Sequence, residues 1–375
     1  MPTKQRIAFV TNTSWSIYKF RLYLLQELIK KGYEIYVLAP RDNYTELFEH
    51  LEGINFIELK KLQGKSISLY DDFQLYKELR KHYKKIQPHL IFHYTIKACI
   101  YGPIAAAHTG CKAISVITGL GYTFASNKIL KIAASNLYRH ALKKANEVWF
   151  LNPDDQKIFI DSGIVKKETT FLLPGEGVDA TVFYATPFQP LKKPVVFLLI
   201  GRLIKHKGIY EFATASGIMQ KKKVDAKFQL LGFTDDKSAV AISKEQLAKW
   251  EKAGNIDYLG TTDNVAPFIA KADCIVLPSY REGMPLSLLE GSSMCKAIIA
   301  SDVAGCREIV KDGINGFLCK AKNAEDLAVK MEKYCSLTDA EKHAMGMAGR
   351  EIVMSHFTKE IITGIYINKL QSLLA

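Results

Sequence analysis

No stretch of this 375-residue sequence approaches the roughly 18 consecutive apolar residues of a membrane-spanning helix. The apolar stretch Ala98–Ala107 is interrupted by Gly102 and Pro103. A secretory signal is also lacking: Met1–Arg6 is polar, and Ile7–Val10 is too short for a signal-peptide core. A cytoplasmic chain is therefore expected. The seven cysteines (Cys99, Cys111, Cys274, Cys295, Cys306, Cys319 and Cys335) are odd in number, widely spaced and free of any C-x-x-C. That pattern argues against a disulfide frame or a zinc site and marks them as small reduced core residues. No repeat of 20–50 residues is visible, which argues against a solenoid. The acidic pairs Asp154-Asp155 and Asp235-Asp236 are not Asp-x-Asp motifs, and acids in turns are usually solvated or capping.

Charge of one sign is plentiful. The balance of 51 Lys and Arg against 38 Asp and Glu leaves +13, so an anionic partner is expected. Lys77, Arg80, Lys81, Lys84 and Lys85 fall on one expected helix, Asp71–Ile86. A second expected helix, Lys128–Ala145, carries Lys128, Lys131, Arg139, Lys143 and Lys144, and residues 128–144 contain no acid. Taken singly, each such charge is a solvated helix face; the acid-free segment is a candidate for binding a surface. Nucleic-acid binding rests only on this charge and on aromatics such as Tyr76 and Tyr83, and it is set aside.

Apolar β-rich runs alternate with helical patterns along the chain. Strands are expected at Arg6–Thr11, Glu34–Ala39, Leu90–His93, Ala113–Ile117 and Glu147–Leu151. A helix is expected at Ile17–Lys31, stopped by Gly32. Asp179–Pro194, with Pro187, Pro190 and Pro194, breaks the rhythm. Strands then resume at Val195–Ile200, Phe228–Leu231, Ile256–Leu259, Cys274–Leu277 and Ala297–Ala300. Continuous apolar strands are the mark of parallel sheets covered on both faces. The expectation is α/β: two facing doubly wound domains, 1–180 and 195–355, joined by a linker at 181–194, with a cleft between them.

Two motifs follow such strands. Gly201-Arg202-Leu203-Ile204-Lys205-His206-Lys207-Gly208 turns at Gly201, with Arg202 offering a planar fork and Lys207 a point charge for phosphate oxygens. Pro278-Ser279-Tyr280-Arg281-Glu282-Gly283-Met284-Pro285-Leu286 follows Cys274–Leu277 and leads into a helix that carries Glu290. Pro285 suits a first helical turn, Gly283 allows close backbone approach, and free N–H groups there can face an anion or sugar hydroxyls. Glu282 and Glu290 are placed to grip two parts of one ligand; the plainer alternative is a helix cap and a surface acid. Gly119-Leu-Gly121 lacks the third glycine of a dinucleotide fingerprint and does not follow the first strand, so a dehydrogenase is not supported. His93 and His206 are read as structural or diphosphate-adjacent.

Arg202 and Lys207, followed by Glu282 and Glu290 with seven residues between, resemble the retaining GT-B glycosyltransferases of family 4. Gly177-Val178-Asp179, the segment from Ser301 to Val310, and Asp312-Gly313-Ile314-Asn315-Gly316-Phe317 carry the same likeness. The resemblance implies that Arg202 and Lys207 bind the donor diphosphate and stabilise the leaving group, with no cofactor and no essential metal. It implies that Glu282 contacts the donor sugar, that Glu290 holds the ribose, and that amides around Gly283, Met284, Pro285 and Leu286 cradle sugar or phosphate. A final helix over Lys359–Leu374, within a C-terminal segment 356–375, would cross back to the first domain.

In the first half, Ser16-Ile17-Tyr18-Lys19-Phe20-Arg21, Tyr94-Thr95-Ile96-Lys97 and Ile117-Thr118-Gly119-Leu120-Gly121-Tyr122 resemble a subgroup that extends undecaprenyl-diphosphate-linked sugars in surface-glycan assembly. Its implied acceptor-side residues are Ser14, Ser16, Tyr18, Arg21, Lys97, Thr118 and Gly119. The implied partners are a nucleotide sugar, the polyprenyl-diphosphate-linked glycan and an anionic membrane surface, with the protein peripheral on the inner face of the cytoplasmic membrane. A soluble acceptor is the other reading. Two departures stand out. The loop after the first strand is Thr13-Ser14-Trp15-Ser16 instead of glycine-rich, and no histidine sits near Gly119.

Overall fold

The computed structural model describes residues 4–62, 68–120, 128–185, 194–234 and 240–374, and within these all side chains except those of Glu49 and residues 128–134. Gly121, Tyr122, Pro187, Pro190, Asp235 and Asp236 therefore lie outside the described residues, as do the side chains of Lys128 and Lys131. The chain divides into two compact units, Met1–Glu176 with Lys359–Ala375, and Gly177–Thr358.

The first unit is built on seven parallel strands: β1 (Arg6–Val10), β2 (Glu34–Ala39), β3 (Ile54–Glu58), β4 (Leu90–Tyr94), β5 (Lys112–Ile117), β6 (Glu147–Phe150) and β7 (Thr170–Leu172), in the order β3-β2-β1-β4-β5-β6-β7. Strand order reverses between β1 and β4. At such a switch point the connections leave in opposite directions and open a crevice beyond the strand C-termini. The helix Ser14–Lys30 follows β1; Thr13 caps it by accepting from the Ser16 N–H, and Ile17, Leu24, Leu25 and Leu28 are buried. Gly32 ends it at φ +90°, a conformation that glycine takes at little cost. The helix Lys359–Leu374 belongs to this unit: the Tyr366 and Tyr94 hydroxyls bond at 3.0 Å, and the Lys369 ammonium donates to Glu147 at 2.9 Å.

The second unit has six parallel strands: β8 (Val195–Ile200), β9 (Ala226–Leu231), β10 (Asp257–Tyr258), β11 (Cys274–Leu277), β12 (Ala297–Ser301) and β13 (Gly316–Cys319), in the order β10-β9-β8-β11-β12-β13. Its switch point lies between β8 and β11. The helix Leu286–Ser293 packs on β11 so closely that a Cβ on Gly291 would lie 2.5 Å from Ile275.

The expected strands form, with Glu34–Ala39, Val195–Ile200 and Cys274–Leu277 as expected and the others differing at their ends by at most two residues. The strands that the apolar runs did not reveal are β3, β7 and β13, and all three are sheet edges. An edge strand has one open side: β3 and β7 are only partly buried and present no continuous apolar run. All seven cysteines are free, with Cys99, Cys274, Cys306 and Cys319 buried. Burial disfavours the thiolate, so the Cys99 thiol is pushed up to about 12 and the Cys274 and Cys306 thiols are raised as well.

Candidate active site

In the second unit, the switch point brings the two motifs together. Gly201 leaves the end of β8, and its N–H donates to the Leu231 carbonyl at 3.1 Å. A single 3-10 turn, Lys205–Lys207, then delivers Gly208 at φ +74°. Gly208 lies against the loop leaving β11: a Cβ there would overlap the Pro278 carbonyl oxygen. Beside this contact the Tyr280 N–H donates to the His206 carbonyl at 2.9 Å. Lys207 and Glu282, 75 residues apart, meet at 2.5 Å, with side chains 20% and 11% exposed. Both side chains are mostly covered, and the remaining exposure leaves the pair within reach of an incoming anion. Arg202 is exposed, and Glu290 is partly buried on the helix Leu286–Ser293.

That helix begins without a side-chain cap at Pro285. The N–H groups of Leu286 and Ser287 at its start therefore lack a side-chain cap, and such a start suits an anion. A third loop, after β12, braces the site. Gly305 adopts φ +81°, and a Cβ on it would fall 2.6 Å from the Gly283 oxygen and 2.9 Å from that of Glu282. Glu308 accepts from the Gly305 N–H at 2.6 Å and holds that turn. The Tyr280 hydroxyl donates to Glu211 at 2.7 Å, which ties the loop to the helix that follows Gly208. Burial, then the neighbouring Lys205 and Lys322, hold His206 below its ordinary pKa, so it is neutral at pH 7. Gly305, Tyr280 and Glu211 were not singled out from the sequence. The signal for Gly305 is the segment Ser301–Val310, but only the folded chain sets its backbone against Glu282.

In the first unit, a pocket of about 230 Å³ opens at the switch point, lined by Asn12, Thr95, Lys97, Thr118, Gly119 and neighbours beyond β1, β4 and β5. Of the implied acceptor-side residues, Lys97, Thr118 and Gly119 line it. The Lys97 ammonium forms an ion pair with Asp72 Oδ1 at 2.9 Å, and Asp72 Oδ2 accepts from the Tyr101 hydroxyl at 2.7 Å. Thr95 stands at φ +69°, ψ 159°, a region that non-glycine residues rarely enter and that costs on the order of 1–3 kcal/mol.

The other acceptor-side candidates do not line this pocket. Ser14 is buried and bonded to the Pro40 carbonyl and the Thr45 hydroxyl. Ser16 bonds to Thr11 at 2.9 Å, and Tyr18 packs edge-on against Phe48. Arg21 is 3% exposed, ion-paired with Glu176 and stacked 3.7 Å over the Tyr94 ring. It holds the first helix, β4 and the Glu176 segment together, and its guanidinium is not offered to a ligand. His93 is a core residue: its Nε2 bonds to the Tyr83 hydroxyl at 2.9 Å, and burial holds its pKa down at about 3. Arg139 is engaged too, capping Ser162 and Gly163 carbonyls at 2.9 and 3.0 Å. Its guanidinium is tied to the protein's own backbone, whereas Lys143 and Lys144 are exposed. Among the described residues no three His, Cys, Asp or Glu side chains cluster as a metal site.

Two doubly wound parallel sheets define a class, the GT-B fold. Sucrose-phosphate synthase from Thermosynechococcus elongatus superposes with a TM-score of 0.82 at 19% identity, covering 99% of both chains. The family model for glycosyl transferases group 1 matches residues 186–352, and that for glycosyl transferase 4-like proteins matches residues 6–152. The chain belongs to the family 4 glycosyltransferases. It is similar to the N,N'-diacetylbacillosaminyl-diphospho-undecaprenol alpha-1,3-N-acetylgalactosaminyltransferase of Campylobacter jejuni, with 27% identity over 92% of each chain. It is also similar to the UDP-Gal:alpha-D-GlcNAc-diphosphoundecaprenol alpha-1,3-galactosyltransferase of Escherichia coli, with 26% identity over 70% of each chain.

Proposed function

We propose that this glycosyltransferase moves a hexosyl or N-acetylhexosaminyl group, with retention, from a UDP-sugar to an undecaprenyl-diphosphate-linked sugar during surface-glycan assembly. The observation that carries the reading is the Lys207–Glu282 contact at the switch point, with Arg202 exposed nearby and the uncapped start of the helix Leu286–Ser293. The two cations and the helix amides suit a diphosphate; Glu282 suits the hydroxyls of the sugar next to it, and Glu290 the ribose. Both relatives act on diphospho-undecaprenol-linked acceptors by name, and one by name uses UDP-Gal.

Chemically, the bond from the anomeric carbon to the donor phosphate oxygen breaks while a bond to the acceptor hydroxyl oxygen forms on the same face. The hydroxyl proton passes to the leaving phosphate. Arg202 and Lys207 stabilise the charge growing on that phosphate, a role concentrated in the transition state. The acceptor's tail stays in the bilayer, so the protein works at the anionic inner face of the cytoplasmic membrane. Exposed Lys77, Lys81, Lys84 and Lys85 on the helix Leu69–Ile86, with Lys143 and Lys144, each contribute on the order of 1 kcal/mol of attraction there.

A panel of nucleotide sugars assayed against a lipid-diphosphate-linked sugar in micelles tests the reading. Transfer from one UDP-sugar to the lipid acceptor, with an α-linked product from an α-linked donor, is expected. Transfer only to soluble sugars, or an inverted product, overturns it.

A further inference from the structure

We infer that Tyr280 and Glu211 form a positioning pair that sets the Glu282 carboxylate for the donor sugar; this rests on the donor reading above and assigns two residues that act through Glu282. Tyr280 stands two residues before Glu282, in the loop that leaves β11. Its backbone and its side chain are both tied. The N–H donates to the His206 carbonyl at 2.9 Å, and the hydroxyl donates to Glu211 Oε1 at 2.7 Å. The His206 ring lies 5.6 Å from the Tyr280 ring, and the Lys322 ammonium lies 5.0 Å from that ring's centroid. Three separate segments therefore hold one side chain: the turn Lys205–Lys207, the helix Ile209–Lys221 and the loop after β13.

Two costs are incurred to build this arrangement. Glu211 Oε2 is buried and has no hydrogen-bond partner among the described residues, and a carboxylate oxygen kept from water without a partner is unfavourable. Lys322 stands at φ +60°, a left-handed conformation that a lysine rarely adopts. Both costs fall around Tyr280, which points to a use other than stability. The direction of the hydroxyl bond is also fixed. Burial, then the bond to Glu211, raise the Tyr280 phenol above its ordinary pKa, so it keeps its proton at neutral pH and Glu211 accepts.

The far side of the loop is fixed by other means. Glu282 meets Lys207 at 2.5 Å, and the Glu282 and Gly283 carbonyls lie against Gly305. Only Arg281 separates Tyr280 from Glu282. Freeing the Tyr280 hydroxyl therefore loosens Glu282 while leaving Arg202, Glu290 and the start of the helix Leu286–Ser293 in place for the nucleotide. A reacting group misplaced by about 1 Å can cost on the order of 10²-fold in rate, so the loss should appear in turnover.

The test compares the wild type with Tyr280→Phe, Glu211→Ala, Glu211→Gln and the Tyr280→Phe/Glu211→Ala double variant, using the UDP-sugar that the donor panel selects. Tyr280→Phe and Glu211→Ala should each lower kcat roughly tenfold, with KM for the donor and UDP affinity within about twofold and Tm within about 4 °C. The double variant should lose no more than either single one, because both remove the same bond. Glu211→Gln keeps an acceptor oxygen and should recover most of the loss. Unchanged kcat in Tyr280→Phe overturns the inference, whether or not Tm falls. So do losses that multiply in the double variant, a loss in Tyr280→Phe that Glu211→Ala does not share, or UDP affinity that falls in step with kcat. Lys207→Met and Glu282→Gln report on the donor reading itself. If both lose turnover and Tyr280→Phe does not, only this inference fails; if both turn over as the wild type does, the donor reading fails with it.

Discussion

The Lys207 ammonium donates to Glu282 Oε1 at 2.5 Å across 75 residues of chain, and both side chains are mostly covered. The β8 loop and the β11 loop therefore form one charged surface, in which neither residue can be changed without exposing its partner to an unpaired environment.

Lys207→Met should lower kcat/KM by a factor of roughly 10² or more and also destabilise the fold by about 1–3 kcal/mol, because Glu282 is left poorly solvated. Arg202→Ala should match the kinetic loss with little change in stability, since Arg202 is exposed. Combining Lys207→Met with Glu282→Gln should recover most of the stability and none of the activity. Urea melts with donor kinetics on the wild type, Lys207→Met, Glu282→Gln, their double variant and Arg202→Ala check this; additive stability losses in the pair would show that it does not interact.

Gly208→Ala and Gly305→Ala should both damage the site through the backbone. Both glycines have positive φ, and in both a methyl group meets a backbone oxygen, of Pro278 and of Gly283 respectively. Backbone cannot move aside as a side-chain tip can, so a Tm drop of several degrees is expected for each, with UDP affinity reduced. Gly254→Ala is the control. It also has positive φ but meets nothing within 4 Å, so it should cost less and leave UDP binding intact.

Stability should fall as pH drops from about 6.5 towards 5, and His93 should account for part of the slope. Its folded pKa lies at about 3, below the ordinary value of 6.5, because burial disfavours the imidazolium. The unfolded chain therefore binds the proton first, and stability is lost as pH falls below 6.5 and continues to fall towards 3. One such group contributes a slope approaching about 1.4 kcal/mol per pH unit. Equilibrium unfolding of the wild type and His93→Gln between pH 7 and 5 checks this. An equal slope in the two proteins would remove His93 as the cause.

Turnover should survive exhaustive EDTA treatment, because in the proposed donor site Arg202 and Lys207 neutralise the diphosphate in place of a divalent ion. Loss of activity that Mg²⁺ or Mn²⁺ restores would point to a metal that these cations do not replace.

Much of this protein was legible in its sequence. Strands such as Val195–Ile200 and Cys274–Leu277 are covered on both faces, so burial alone writes them as unbroken apolar runs. Glycine and charge after those runs marked Arg202, Lys207 and Glu282 as candidates, and the fold brings Lys207 and Glu282 together. The edges β3 and β7 were not legible, since a partly buried strand with an open side needs no such run; β13 is buried but only four residues long.

What the tertiary structure alone decided is who partners whom. Lys207 with Glu282, Gly305 against the Gly283 carbonyl, and Arg21 drawn away from any ligand into Glu176 and Tyr94 are contacts between distant segments. So is the unusual backbone of Thr95, which nothing in the identity of a threonine announces. Periodicity along a chain reports which face is buried. It carries no record of which loops meet beyond a switch point, because that depends on strand order, and strand order exists only once the sheets have formed.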